Sequence, residues 1–117
     1  DVSADNLRLR RALALHALQD PRFEAEDDYL RDGFAAAHRR GEALHLREEA
    51  RYALATGDDP QAALALAQSN WQVQREPADA RLLIQAADAA GRPQAAAEVR
   101  AWLAESRLQD VRLESES

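Results

Sequence analysis

Apolar positions recur every three to four residues along most of the chain, the spacing of one face of an α-helix. Successive stretches carry Phe23, Leu30, Phe34 and Ala37; Leu46, Ala50, Ala53 and Leu54; Ala63, Leu66, Ala67 and Trp71; Leu82, Leu83, Ala86, Ala87 and Ala90; and Ala95, Val99, Trp102 and Leu103. The helix breakers fall between them. Pro21, Pro60, Pro77 and Pro93 each precede or open a stretch, and Gly41, Gly57 and Gly91 each follow one. Proline is tolerated in a first turn, and glycine supplies the left-handed residue past a last turn. Asp20-Pro21 and Asp59-Pro60 read as an N-cap followed by a first-turn proline. Gly33 alone lies inside a helical stretch, where it suits close packing against a neighbour. Turns near residues 20, 41, 57–59, 76–77 and 91–92 therefore predict six helices, about 5–19, 21–39, 42–56, 60–75, 78–90 and 93–106.

The first helix departs from this pattern. Leu7, Leu9, Leu13, Leu15 and Leu18 spread over more than one face, which predicts burial on two sides, the second covered by a preceding repeat. At the other end, Leu108, Val111 and Leu113 precede a polar terminus and predict a partial seventh helix that caps the stack.

Composition supports helix throughout. Val2, Val73, Val99, Val111, Ile84 and Thr56 are the β-branched residues, too few to build a sheet, while Ala, Leu, Arg, Glu and Gln dominate. The fold class is all-α, and 117 residues fit one domain with a working core. A net charge of −6 argues against a general binder of nucleic acid or anionic membrane. Each of the 15 basic side chains is Arg, which a coding bias explains more simply than selection for guanidinium chemistry. No apolar run approaches the roughly 18–20 residues that span a bilayer. Cysteine is absent, which removes disulfides and thiol catalysis and leaves the redox compartment open. Because the chain starts at Asp1 and contains no Met, a trimmed or processed piece of a longer protein is expected.

Self-similarity adds a period. Gly57 and Gly91 stand 34 residues apart, and GDDPQAALAL around the first matches GRPQAAAEV around the second, with one residue inserted. This period, the Ala-rich second helices and the closing Pro77 resemble tetratricopeptide repeats. The resemblance is closest over 42–106 and looser over 5–40, where helix 21–39 exceeds a standard unit. The aromatic and Gly signature of the family's first helix is missing; Ile84 departs from a small-residue position, and Ala53 and Ala87 stand where the family prefers Tyr. HLREEARYAL and the stretch NWQVQREPADARLLIQAADAAGRPQAAAEVRAWL also look like the C-terminal part of bacterial tetratricopeptide proteins. Some of those are exported to the cell envelope, the location the resemblance suggests. It further implies a right-handed α-α superhelix of about three hairpins, 5–39, 42–75 and 78–106, with 107–117 as a capping tail. Such hairpins gain stability by stacking in series.

In that arrangement the first helix of each hairpin lines an inner surface. Leu44, Arg47 and Arg51 lie beside the buried stripe of the third helix, and Arg81, Gln85 and Asp88 form the matching row on the fifth. Three guanidiniums in one groove of an acidic protein favour a carboxylate-bearing ligand. The resemblance extends to the carboxylate clamps of some family members, whose Lys and Asn are missing here. The competing reading is a solvated face with local pairs such as Glu48–Arg51, each worth tenths of a kcal/mol.

Other chemistry finds little support. His16, His38 and His45 share no helical face; His45 and Glu48 are three apart but lack further ligands, and His16 sits on an apolar face as a packed residue. Glu24, Glu26, Asp27 and Asp28 complement a helix N-terminus. Ser3, Ser69, Ser106 and Ser115 carry no nucleophile motif, and no Gly-rich phosphate loop exists. Trp71 and Trp102 read as core. The expected function is a non-catalytic scaffold, without cofactor or metal, that presents a concave helical face to a protein or peptide partner, acidic by the Arg row. The alternative is a C-terminal cap or oligomerisation segment of a longer solenoid with no separate ligand, for which the broad apolar surface of the first helix argues.

Overall fold

The computed structural model describes residues 2–41 and 45–116, which form helices and no strand. The order is α1 (Val2–Ala17), α2 (Phe23–Arg39), α3 (Leu46–Thr56), α4 (Pro60–Val73), α5 (Pro77–Ala89), a 3₁₀ turn (Pro93–Ala96) and α6 (Ala97–Glu116). The punctuation read from the sequence sets most of these limits. Gly41, Gly57 and Gly91 have φ of +73°, +73° and +71°, the left-handed conformation that ends a helix. Asp59 caps α4 by accepting the Ala62 N–H at 3.1 Å, with Pro60 in the first turn.

Two boundaries and one packing expectation are not met. The Asp20 carboxylate accepts the Arg22 N–H at 2.9 Å and its guanidinium at 2.8 and 3.1 Å, so Pro21 and Arg22 form a turn and α2 begins at Phe23. Those bonds from Arg22 hold the Asp20 carboxyl down at about 2. Gly33 is exposed, and a Cβ there would meet nothing within 4 Å, so it makes no close approach. Among the described residues no separate seventh helix forms: no Pro or Gly after Pro93 breaks the chain, and α6 runs unbroken to Glu116. Leu108, Val111 and Leu113 are 46%, 60% and 66% exposed, so the tail does not fold back as a cap. The predicted start of the third helix at 42 falls outside the described residues.

The principal core joins α3, α4, α5, the 3₁₀ turn and α6. Ala50, Leu64, Ala67, Trp71, Ala80, Leu82, Leu83, Ala86, Ala87, Ala96, Val99 and Leu103 are buried together. Alanine at half of these positions lets helix axes approach closely, while Trp71 and Trp102 fill the wider gap edge to face, centroids 5.0 Å apart. A smaller cluster around Ala12, Leu30 and Tyr52 joins α1, α2 and α3, with Leu9, Leu13, Phe23 and Phe34 against it. Leu7 and Leu18 are 66% and 76% exposed, so the outer side of α1 faces solvent.

Sequence neighbours pair except α2 and α3, whose backbones stay apart, and α1 and α5 each also pack on α3. The molecule measures 52 × 33 × 31 Å, with a radius of gyration of 16.1 Å. A compact globule of this length would have about 13 Å. Among the described residues, no helix is long and apolar enough to cross a membrane.

Candidate functional site

The six residues singled out in the sequence separate into different environments. Arg47, in the first turn of α3, reaches across to the N-terminus of α5. Its Nε donates to Asp79 Oδ1 at 2.6 Å and its Nη2 to Asp79 Oδ2 at 2.7 Å. The same Nη2 also donates to Gln74 Oε1 at 2.9 Å and Glu76 Oε2 at 3.0 Å. Asp79 is fully buried and takes two more donors, the Asn70 amide at 2.7 Å and the Glu76 N–H at 3.1 Å. Burial alone would raise its carboxyl pKa; the Arg47 and Asn70 side chains and the Glu76 N–H outweigh that and hold it below the ordinary value. The Arg47 guanidinium is held in its charged form chiefly by the Asp79 hydrogen bonds.

Arg47 is thus committed to tying α3 to the corner between α4 and α5. Its partner Asp79 lies 32 positions away and was not foreseen in the sequence. The available signal was the pattern Glu76-Pro77-Ala78-Asp79, which puts a carboxylate at the third position of a helix opened by proline, where it can accept the N–H of the residue before the helix.

One turn further along α3, Arg51 faces α5. Arg51, Leu54 and Ala55 on α3 and Ala78, Arg81, Leu82 and Gln85 on α5 line a groove of about 390 Å³. Helical spacing explains the lining: Arg51 with Leu54 and Ala55, and Ala78 with Arg81, Leu82 and Gln85, each stand three to four apart on one face. Leu82 is buried and Leu54 half-buried, giving an apolar floor, while Arg51, Arg81 and Gln85 are exposed at the rim. Neither the Arg51 nor the Arg81 guanidinium has a hydrogen-bonding or ion-pair partner among the described residues, and the local Glu48–Arg51 pair does not form there. The groove brings together Arg51, Arg81 and Gln85. Asp88 instead pairs with Arg100 of α6 at 3.3 Å. Leu44 lies outside the described residues.

A second cleft, of about 300 Å³, opens between α2, α3 and α4. Phe34, Ala53, Ala62 and Leu66 give it apolar walls, and the His38–Glu49 hydrogen bond at 2.7 Å crosses its edge. The Tyr52 hydroxyl, also on this cleft, donates to Asp27 at 2.6 Å; burial first, and that bond second, push its pKa up. Tyr52 was absent from the helical stripe predicted for α3, yet it is one of its most buried residues. His16 packs edge-on against Phe23, ring centroids 4.9 Å apart. Among the described residues, no three His, Asp or Glu side chains gather in a way that could hold a metal ion.

Compared with known proteins, the chain matches no protein-family model, no curated protein and no solved structure.

Proposed function

We propose that the chain is a non-catalytic protein-interaction module and that the groove between α3 and α5 takes a carboxylate-bearing segment of a partner protein. The observation that carries this reading is the pair of unpartnered guanidiniums, Arg51 and Arg81, above the apolar floor of Leu54 and Leu82. Both guanidiniums border the same groove, where one carboxylate-bearing segment can meet the two together. A carboxylate can meet each guanidinium with two parallel hydrogen bonds, and the Gln85 amide offers a further donor. An aliphatic side chain of the same segment would cover Leu54 and Leu82.

The 34-residue period and the contacts of α1 and α5 with α3 support reading the helices as stacked hairpins of tetratricopeptide type, wound into a right-handed superhelix. In this reading Arg47 is a strut beside the groove that holds α3 and α5 at their spacing, and ligand recognition falls to Arg51, Arg81 and Gln85.

Isothermal titration of the protein with short Asp- and Glu-containing peptides tests the proposal. Replacing both Arg51 and Arg81 by Ala is expected to weaken the best peptide at least about tenfold, or about 1.4 kcal/mol. Binding should also weaken as salt rises. If no acidic peptide binds the native groove, or if the double variant binds as tightly as the native protein, the groove is not the recognition site.

A further inference from the structure

The exposed side of α6 carries a pattern that the groove does not use. Ala97, Ala101, Ala104, Leu108, Val111 and Ser115 follow one another at alternating intervals of four and three residues, and all are exposed. Val99 and Leu103, which bury α6 against the core, lie on the opposite face. The outward stripe therefore has the a/d spacing of a coiled-coil seam, with its two large apolar side chains, Leu108 and Val111, at adjacent seam positions. From Arg107 to Ser115 every residue is exposed, so these turns make helix without a packed face. A helix of that length is marginal alone in water, and burying one apolar seam would supply what it lacks.

We propose that this seam pairs with the same seam of a second copy of the chain, the two α6 helices running antiparallel. The flanking charges select both the partner and its direction. With Leu108 opposite the second copy's Val111, antiparallel pairing sets Glu105 beside the second copy's Arg112, and symmetry repeats that pair. A parallel pairing in register would match Arg100 with Glu105 but would oppose Arg107 to Arg112 twice, once on each side. Opposite charges thus meet throughout the first arrangement, and like charges meet in the second. The contact is isologous, so it closes at two copies and does not propagate.

Sedimentation equilibrium of the native chain over a wide concentration range is the test, with circular dichroism to verify that each variant keeps its helices. The average mass is expected to rise with concentration from 13.0 kDa toward twice that value. Leu108→Asp, on an exposed turn that contributes nothing to the core, should hold the mass at the monomer value. Glu105→Arg and Arg112→Glu should each abolish pairing alone, since each sets like charges opposite one another. Mixed together, the two variants should restore a dimer, because both cross-pairs are then opposite in sign. A native mass that stays constant at 13.0 kDa overturns the proposal. So does association that persists in Leu108→Asp, which would put the contact elsewhere. Stronger pairing by Arg112→Glu alone would show the helices to be parallel and would overturn the antiparallel arrangement. Arg51 and Arg81 are untouched in all of these variants, so the outcome is independent of peptide binding in the groove.

Discussion

Arg47 and Asp79 show how far a side chain's role depends on what lies beyond its own helix. In the sequence Arg47 belongs to an exposed row with Arg51; in the fold it is bound by a buried carboxylate 32 residues away. Removing one partner of such a pair leaves the other without its counter-charge. Arg47→Ala is therefore expected to lower stability by about 3 kcal/mol, read from urea unfolding at neutral pH. The pH dependence follows from Asp79. Its pKa is lower in the folded chain than unfolded, so its contribution is complete above the ordinary carboxylate range and is lost as pH falls through the folded value. Asp79→Asn should be less stable than the native chain at neutral pH, and the gap should narrow below about pH 4. A gap that stays constant down to that range would mean the carboxylate charge is not what ties α3 to α5.

At the scale of the helices, the two Asp-Pro pairs separate what was legible in the sequence from what was not. Both carry the same local signal, yet only Asp59 caps a helix; Asp20 turns its carboxylate to Arg22, whose guanidinium lies within reach on the turn. Asp59→Ala is expected to destabilise the chain by about 1 kcal/mol, with α4 fraying first. Asp20→Ala should produce a smaller loss and leave the helical content by circular dichroism unchanged; equal losses from both would remove the distinction. The glycine turns were legible because they are backbone features fixed by one residue each, as Gly57 and Gly91 confirm. The length of α6 was not. Its apolar pattern stops matching the repeat near Ser106, but helix formation continues until the backbone meets a breaker, and none follows. The groove was legible in part, since Arg51 and Arg81 follow from helical spacing and loop length. The withdrawal of Arg47 and Asp88 to Asp79 and Arg100 required three dimensions.

Over the whole molecule, stability is distributed unevenly. The larger core spans α3 to α6, whereas α2 meets α3 and the turn after it mainly through side chains: the Phe34 and Tyr52 rings with centroids 6.1 Å apart, the Tyr52–Asp27 hydrogen bond, His38 with Glu49, and Arg31 with Asp58 of the turn. His38–Glu49 and Arg31–Asp58 are part-exposed and weaker than a packed apolar seam, so α2 is the part expected to open below the free energy of global unfolding. Native-state hydrogen exchange should then find α2 amides less protected than those of α4 and α5. Tyr52→Phe keeps the ring and removes the hydroxyl, leaving Asp27 without that donor. It should reduce protection in α2 about fivefold, the equivalent of about 1 kcal/mol, while α4 and α5 change less. Openings confined to α2 would widen the cleft lined by Phe34 and Leu66 without disturbing the groove between α3 and α5, whose walls belong to the larger core. An equal loss of protection in all three helices would instead mean that the chain opens as one cooperative unit and that the tethers of α2 are as strong as the alanine-rich packing.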